Sequence, residues 1–488
     1  MKKVLLAFLM AAAFQTVTAS FVYAGEQEPE KLVVSFRTNG KVPEEKDIER
    51  IEECLNEILR KKINCEIKLV ITQSSSYKQQ MTLMLSGKEQ LDVMGVTESM
   101  ISPTVSGGQL WQLDDLLEEY GQGITEVLGE DLLSCGQYDG KQYFIPILCD
   151  TVNGNGTYML RKDIVEKYEI DTDSVKTYED LTKIFELVHE KEPEMTMVVP
   201  GNANMSFLEF NCNFDRLGDY FGVLENYGQD SLKVTNLFES QEYKDYLKVM
   251  RNWYKKGFIN KDITSISESG TSQVRAGKTF AVSCVDKPGK DTQFYQESGY
   301  EGVAVQVLEN LKITNVVWQW AIPKNSKNPQ KAMEFLNLLY TDPDIINLLA
   351  YGQEGVDYEA KEDGRLGYPK GISQSTVGYS FSNMIWSFGN EFIADIWEND
   401  EPDLWEKTKA WNETGYVSKA YGFVYDSTPV ATEVAAVQNI YDQYKMALEC
   451  GAVDPDEVLP EMNQILYAAG LQDIIDEKQK QLDAWIRR

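Results

Sequence analysis

At 488 residues, 43% of them hydrophobic, the chain exceeds what one hydrophobic core usually fills and carries enough apolar side chains for two. Its 77 acidic residues against 47 basic ones give a net charge of −30, which excludes nucleic acid as a partner and weakens contact with anionic surfaces. The acids are spread along the chain, so they read as a solvated surface rather than a steering patch.

The chain opens "MKKVLLAFLMAAAFQTVTASFVYAG". Lys2 and Lys3, the apolar run from Val4 to Phe14, and the small-residue ending at Ala24 predict an export signal over residues 1–24. The run is too short to span a bilayer, and no later segment offers about 18 uninterrupted apolar residues. The mature chain is therefore expected to be soluble and outside the cytoplasm, on the outer face of the membrane or in a periplasm.

Next comes "KLVVSFRTNG" as a strand, then a helix with Ile48, Ile51, Leu55 and Leu59 at helical spacing, then the strand "CEIKLVIT". A second round follows, "YKQQMTLMLSGKEQ" as helix and "LDVMGV" as strand. Alternating strands and helices predict a mainly parallel sheet, whose ligands gather at the carboxyl ends of the strands. That edge is formed by the loops "RTNG", "TQSSS" and "GVTES", with Asn39, Ser74, Thr97 and Glu98 as candidate contacts. Asp92 stands inside an apolar strand and needs partners if buried. Trp111 precedes a helix carrying Leu113, Leu116 and Leu117 and reads as core.

Around "YDGKQYFIPILCDTVNGNGTYMLRK" the chain is expected to pass to a second lobe, with Asn155 in the loop. Another mixed region follows to about residue 274, containing "MTMVVPGNANMS" with Asn202. A second passage is expected at "RAGKTFAVSCVD", which leads to Asp286 and Lys287; these two, with Asn155 and Asn202, join the candidate ligand contacts. A third is expected at "NVVWQWAIPKNSKNPQKAMEFLNLL", where Trp318 and Trp320 share a strand face by alternation and Asn328 caps a helix begun by Pro329. Such a pair is either a core patch or a platform. Beyond Tyr340 the pattern is helical: Asp342 and Pro343 begin a helix, and two terminal helices split at Gly470 offer Ile474, Ile475, Leu482, Trp485 and Ile486 for docking.

Cys54, Cys65, Cys135, Cys149, Cys212, Cys284 and Cys450 include no C-x-x-C pair and no zinc spacing, so no metal, cofactor or disulfide is assigned. The one histidine, His189, lies near a helix end. With no G-x-S-x-G, no G-x-G-x-x-G and no P-loop, nucleophilic and nucleotide chemistry lack their usual parts. A glycosidase would need two carboxylates that the sequence does not single out. No catalytic activity is expected.

The segments "SYKQQMTLMLSGKEQLDVMGV", "YDGKQYFIPI", "YMLRKDIVEKYEI", "YKKGFINKD", "RAGKTFAVS" and "KNPQKAMEFLNLLYTDPDIINLLAYGQEGVDYE" resemble, in order, the landmarks of extracellular solute-binding proteins of ABC importers, in their sugar-binding branch. "MIWSFGNEF", "YGFVYDSTPVATEVAAV" and "LQDIIDEKQKQLDAW" resemble the C-terminal domain of unassigned function found in one subgroup. The resemblance implies an α/β, two-lobed fold of the type II periplasmic-binding-protein kind, with three hinge crossings and a helical C-terminal extension. It implies a monomer that closes on a carbohydrate and presents it to the transmembrane subunits of a permease. On this reading lobe 1 comprises residues 25–150 and 275–322, and lobe 2 comprises 151–274 and 323–488, including the family-specific region from about 340. Relatives in single-membrane bacteria usually carry a lipid-modified cysteine after the leader, whereas no cysteine occurs here before Cys54, which argues against the expectation of such an anchor.

Sugars present apolar faces edged by hydroxyls, and their sites pair aromatic platforms with amide and charged groups. The candidate platforms are Trp318 and Trp320 at the third passage, and Trp386 beside Asn383 and Asn390. The alternatives are packing roles for all three. A peptide or other solute, or a surface adhesin or sensor partner, would also suit an acidic, soluble chain of this design.

Overall fold

The computed structural model describes residues 28–313 and 318–487. The expected leader, and Asn315 to Val317 of the third passage, lie outside the described residues.

Two sheets organise the chain. In the first, strand β1 (Glu30–Thr38) pairs in parallel along its whole length with β2 (Cys65–Gln73), from Glu30 opposite Cys65 to Thr38 opposite Gln73. Helix α1 (Glu45–Ile63) joins them, with Glu45 and Asp47 in its first turn and Arg60, Lys61 and Lys62 in its last, the arrangement that complements a helix dipole. Leu32, Val34 and Phe36 alternate onto one buried face, in the same core as Ile51, Leu55 and Leu59 of α1. Helix α2 (Ser74–Gly87) leads to β3 (Val93–Val96), and helix α3 (Glu98–Ser106) follows. The sheet runs β2, β1, β3, then Gln319–Ala321 antiparallel to β3, then Ile145–Pro146. Buried Asp92 ties this sheet to a distant loop: it accepts hydrogen bonds from the Val33 amide at 2.8 Å, Ser326 Oγ at 2.7 Å and the Lys327 amide at 3.0 Å.

The second sheet orders Gly302–Gln306, Val152–Arg161, Thr279–Asp286 and Thr196–Val199. The stretch "RAGKTFAVSCVD" is thus not a passage back to the first lobe. Thr279–Asp286 is an inner strand of the second sheet, antiparallel to Val152–Arg161 and parallel to Thr196–Val199. A strand buried on both faces reads alike in either sheet, so its composition does not name its partners. The helices Pro329–Thr341 and Pro343–Tyr351 also sit elsewhere than expected. They begin as the caps predict, with Asn328 accepting from the Lys331 amide and Asp342 from the Asp344 amide, but Phe335, Leu336, Leu339, Ile345 and Ile346 fill the first lobe's core. The tail returns to the second lobe only near residue 416.

Three segments carry the chain between lobes, and they hold one another. The Ile313 amide donates to Thr151 O at 2.8 Å, the Lys312 amide to Tyr416 O at 2.9 Å, and the Thr151 amide to Asn412 Oδ1 at 2.8 Å. Gly415 permits this approach, since a Cβ there would lie 2.8 Å from the Lys312 nitrogen.

The last helices complete the second core. Leu471, Ile474, Ile475 and Leu482 of Leu471–Ile486 are buried with Phe221, Leu237 and Tyr243. Lys478, whose side chain is fully buried, donates to Asp219 Oδ1 at 2.7 Å and Gly222 O at 2.9 Å. Glu449 accepts from the Tyr441 and Tyr243 hydroxyls at 2.7 and 3.1 Å. All seven cysteines are unbridged.

Candidate functional site

The carboxyl edge of the first sheet faces the second lobe. At one end Glu98, opening α3 after β3, meets the loop of Arg216 to Asp219. Gly218 has φ +110°, and a Cβ on it would stand 3.2 Å from Glu98 Oε1. Burial pushes the Glu98 carboxyl up to about 7, against the pull of Arg216. At the other end Asp150, beside the first hinge segment, lies 3.0 Å from Lys287 Nζ, and its amide donates to Glu391 Oε1 at 2.7 Å. Burial works against the charge on Lys287, but Asp150 and then Glu391 hold its pKa above the ordinary lysine range. Burial and then Asp150 push Glu391 above the usual carboxylate range.

Beside this second group, the two lobes enclose a cavity of about 170 Å³. The first lobe supplies Trp386, Trp397 and Trp405, and the second supplies Lys287, Gln293 and Gln296. The short 3-10 helix Ser382–Ser387 sets Trp386: Met384 and Ile385 are buried, and Phe388 just beyond packs its ring 5.1 Å from Phe36, so the half-buried Trp386 is left at the cavity wall with exposed Asn383. Trp405 is fixed by its indole N–H, which donates to Ala394 O at 2.7 Å. Chemically, the cavity combines flat apolar rings with amides and a lysine.

Trp318 and Trp320 are placed otherwise, and the platform expectation is corrected. They do share a side, their rings meeting edge to face at 5.8 Å, but they are 0% and 1% exposed. Trp318 lies flush on the backbone of β3, where a Cβ on Gly95 would come within 1.6 Å of its ring. Tyr77 of α2 packs beside it at 5.5 Å, and the Arg37 guanidinium lies 5.1 Å from its centroid. Alternation fixed their common face; the helix laid over that face made it dry.

Of the polar candidates, Asn39 and Ser74 are brought together at the ends of β1 and β2, Ser74 Oγ donating to Asn39 Oδ1 and to Thr38 O. Thr97 is the extended residue before α3 and makes no side-chain cap. Asn155 is buried and donates to Cys212 O, a tie within the second lobe rather than a cleft contact. Asn202 is exposed on a loop after Thr196–Val199. Asp286 accepts from the Lys287 amide at 2.9 Å, and burial raises its carboxyl pKa. Sequence reasoning missed Arg37, Arg216, Glu391 and the tryptophans at 397 and 405. For Arg37 a signal existed: alternation from Val33 and Ser35 points a cation into an otherwise uncharged face.

Residues 55–344 match the family described as bacterial extracellular solute-binding protein, and residues 419–487 match a domain of unknown function, DUF3502. A carbohydrate ABC transporter substrate-binding protein of Streptococcus pneumoniae is 27% identical over 88% of this chain and 87% of its own. The polygalacturonan/rhamnogalacturonan-binding protein YtcQ of Bacillus subtilis is 21% identical over 56% of each. Among solved structures, the N-glycan transport solute-binding protein NgtS of Streptococcus pneumoniae superposes with a TM-score of 0.82 at 24% identity, over 94% of this chain and 99% of that one. The two sheets, the three linked crossings and the interlobe cavity agree with these matches: the chain belongs to the bacterial extracellular solute-binding proteins.

Proposed function

We propose that this chain is the substrate-binding component of an ABC transporter and captures a carbohydrate between its lobes, an oligosaccharide by its likeness to the N-glycan transport protein. The observation that carries this reading is the interlobe cavity, where Trp386 stands at the wall with Asn383 and faces Lys287 across the lobes. An indole suits the apolar face of a sugar ring, and amides and charged groups suit its hydroxyls. The names of the relatives support the same cargo class, and such proteins bind and release rather than catalyse.

Trp386, Asn383, Lys287, Asn39 and Ser74 are the ligand contacts of this reading, while Trp318 and Trp320 support the floor from beneath. Contacts made from both lobes at once favour the closed state, a population shift about the three crossing segments. The protein acts as an exported monomer at the outer face and passes its cargo to a membrane permease. No helix among the described residues is long and apolar enough to cross a membrane, which suits delivery to a separate permease.

A thermal-shift panel of neutral and acidic oligosaccharides, with peptides as a control set, tests the proposal. A ligand binding only the folded state at a hundredfold excess over its Kd stabilises by about 2.7 kcal/mol. A shift with a glycan class supports the reading. A shift with peptides alone overturns the cargo.

A further inference from the structure

Three cations stand along the cleft edge, and two of them have acids. Lys287 has Asp150 and Glu391, and Arg216 has Glu209 at 2.9 Å and faces Glu98. Arg37 is different. Its side chain makes no hydrogen bond or ion pair with any described residue, and its Nε is buried without a partner. In a chain with 77 acidic residues, a cation without a carboxylate is costly unless something else receives its charge.

What the chain supplies instead is the Trp318 ring. A π face steadies a guanidinium without neutralising it, so the positive charge and the donor fork stay available. Arg37 also sits where a ligand can arrive. It is the last residue but one of β1, an inner strand of the first sheet, so it stands at the carboxyl end of that sheet, and its side chain is only partly buried. Neutral hydroxyls would leave the charge unanswered, whereas a carboxylate answers both the charge and the fork.

We propose that Arg37, seated on Trp318, recognises a carboxylate on the bound glycan, so that the preferred cargo is an acidic oligosaccharide bearing a uronic or sialic-type acid. This rests on the carbohydrate reading above and narrows it. Trp318 then has a definite part: it holds the cation in place of a counter-ion.

The test is calorimetric titration of the full mature chain with two matched pairs, trigalacturonate against its carboxyl-reduced triose, and sialyllactose against lactose. The wild-type protein should bind the acidic member of at least one pair about tenfold or more tightly, and whichever pair responds names the source of the carboxylate. Arg37→Gln and Arg37→Met should abolish that preference and leave the neutral member's affinity within about twofold, while Arg37→Lys retains part of it. Neither removal should lower the melting temperature, since each deletes an unpaired, partly buried charge. Equal or tighter binding of the neutral members, or an acid preference that survives in both Arg37→Gln and Arg37→Met, overturns the proposal while sparing the carbohydrate reading. If none of the four glycans binds the wild-type chain, the acid-recognition proposal falls, while the carbohydrate reading is decided by the wider thermal-shift panel.

Discussion

Two tryptophan-rich regions of the first lobe look alike in sequence and differ in place. At 318–320 the indoles are sealed beneath the sheet edge by Gly95, Tyr77 and Arg37; at 386–405 they line a cavity shared with the second lobe. Aromatic density marks where apolar faces are needed. Whether such a face stays dry depends on what packs over it, and that is decided by residues far away in the chain.

The largest test of this contrast is Trp318→Ala. Emptying a fully buried site of this size should cost about 3–5 kcal/mol in urea unfolding, and a loss under about 1 kcal/mol would make the indole a surface group. Gly95→Ala should come next, at about 1–3 kcal/mol, because the added methyl enters the Trp318 ring and the core must shift. Trp386→Ala should show the opposite profile. Its stability should change by less than about 1 kcal/mol, while glycan affinity falls about thirtyfold, the mark of a binding anchor. Equal stability losses in the 318 and 386 variants would erase the distinction between the regions.

A last test concerns pH. Glu391 and Asp400 both line the second region, and burial pushes Asp400 up to about 6 and Glu391 higher. Groups raised on folding take up protons, so their share of stability is fullest below the ordinary carboxylate range and declines as pH rises through the raised values. Urea midpoints should therefore fall between pH 4.5 and 8, and Glu391→Gln should flatten that decline. No change of slope in this variant would show Glu391 to be ordinary.

Much of the local structure was legible. The strand, helix, strand opening, the caps at Asn328 and Asp342, and the need of Asp92 for partners are written in short-range patterns, and each is found. Lobe membership was not. Thr279–Asp286 and Pro329–Thr341 carry clear element signals, yet apolar faces do not specify which sheet they cover, so both were expected in the wrong lobe. The proposed site divides in the same way. Strand-end loops pointed to Asn39 and Ser74, whereas the solitude of Arg37 is a property of its neighbours and has no local spelling.

The interleaving of the lobes also sets an order in time. The first core needs Trp397 and the second needs Leu482, so neither can close on a chain still being made through its middle. A chain cut before Leu471 would keep a finished first lobe beside a second that lacks a wall and leaves Asp219 without Lys478. Folding must therefore await contacts between distant parts of the sequence, which is slow and exposes apolar surface meanwhile. The last helix is the point at which an incomplete molecule can be told from a complete one.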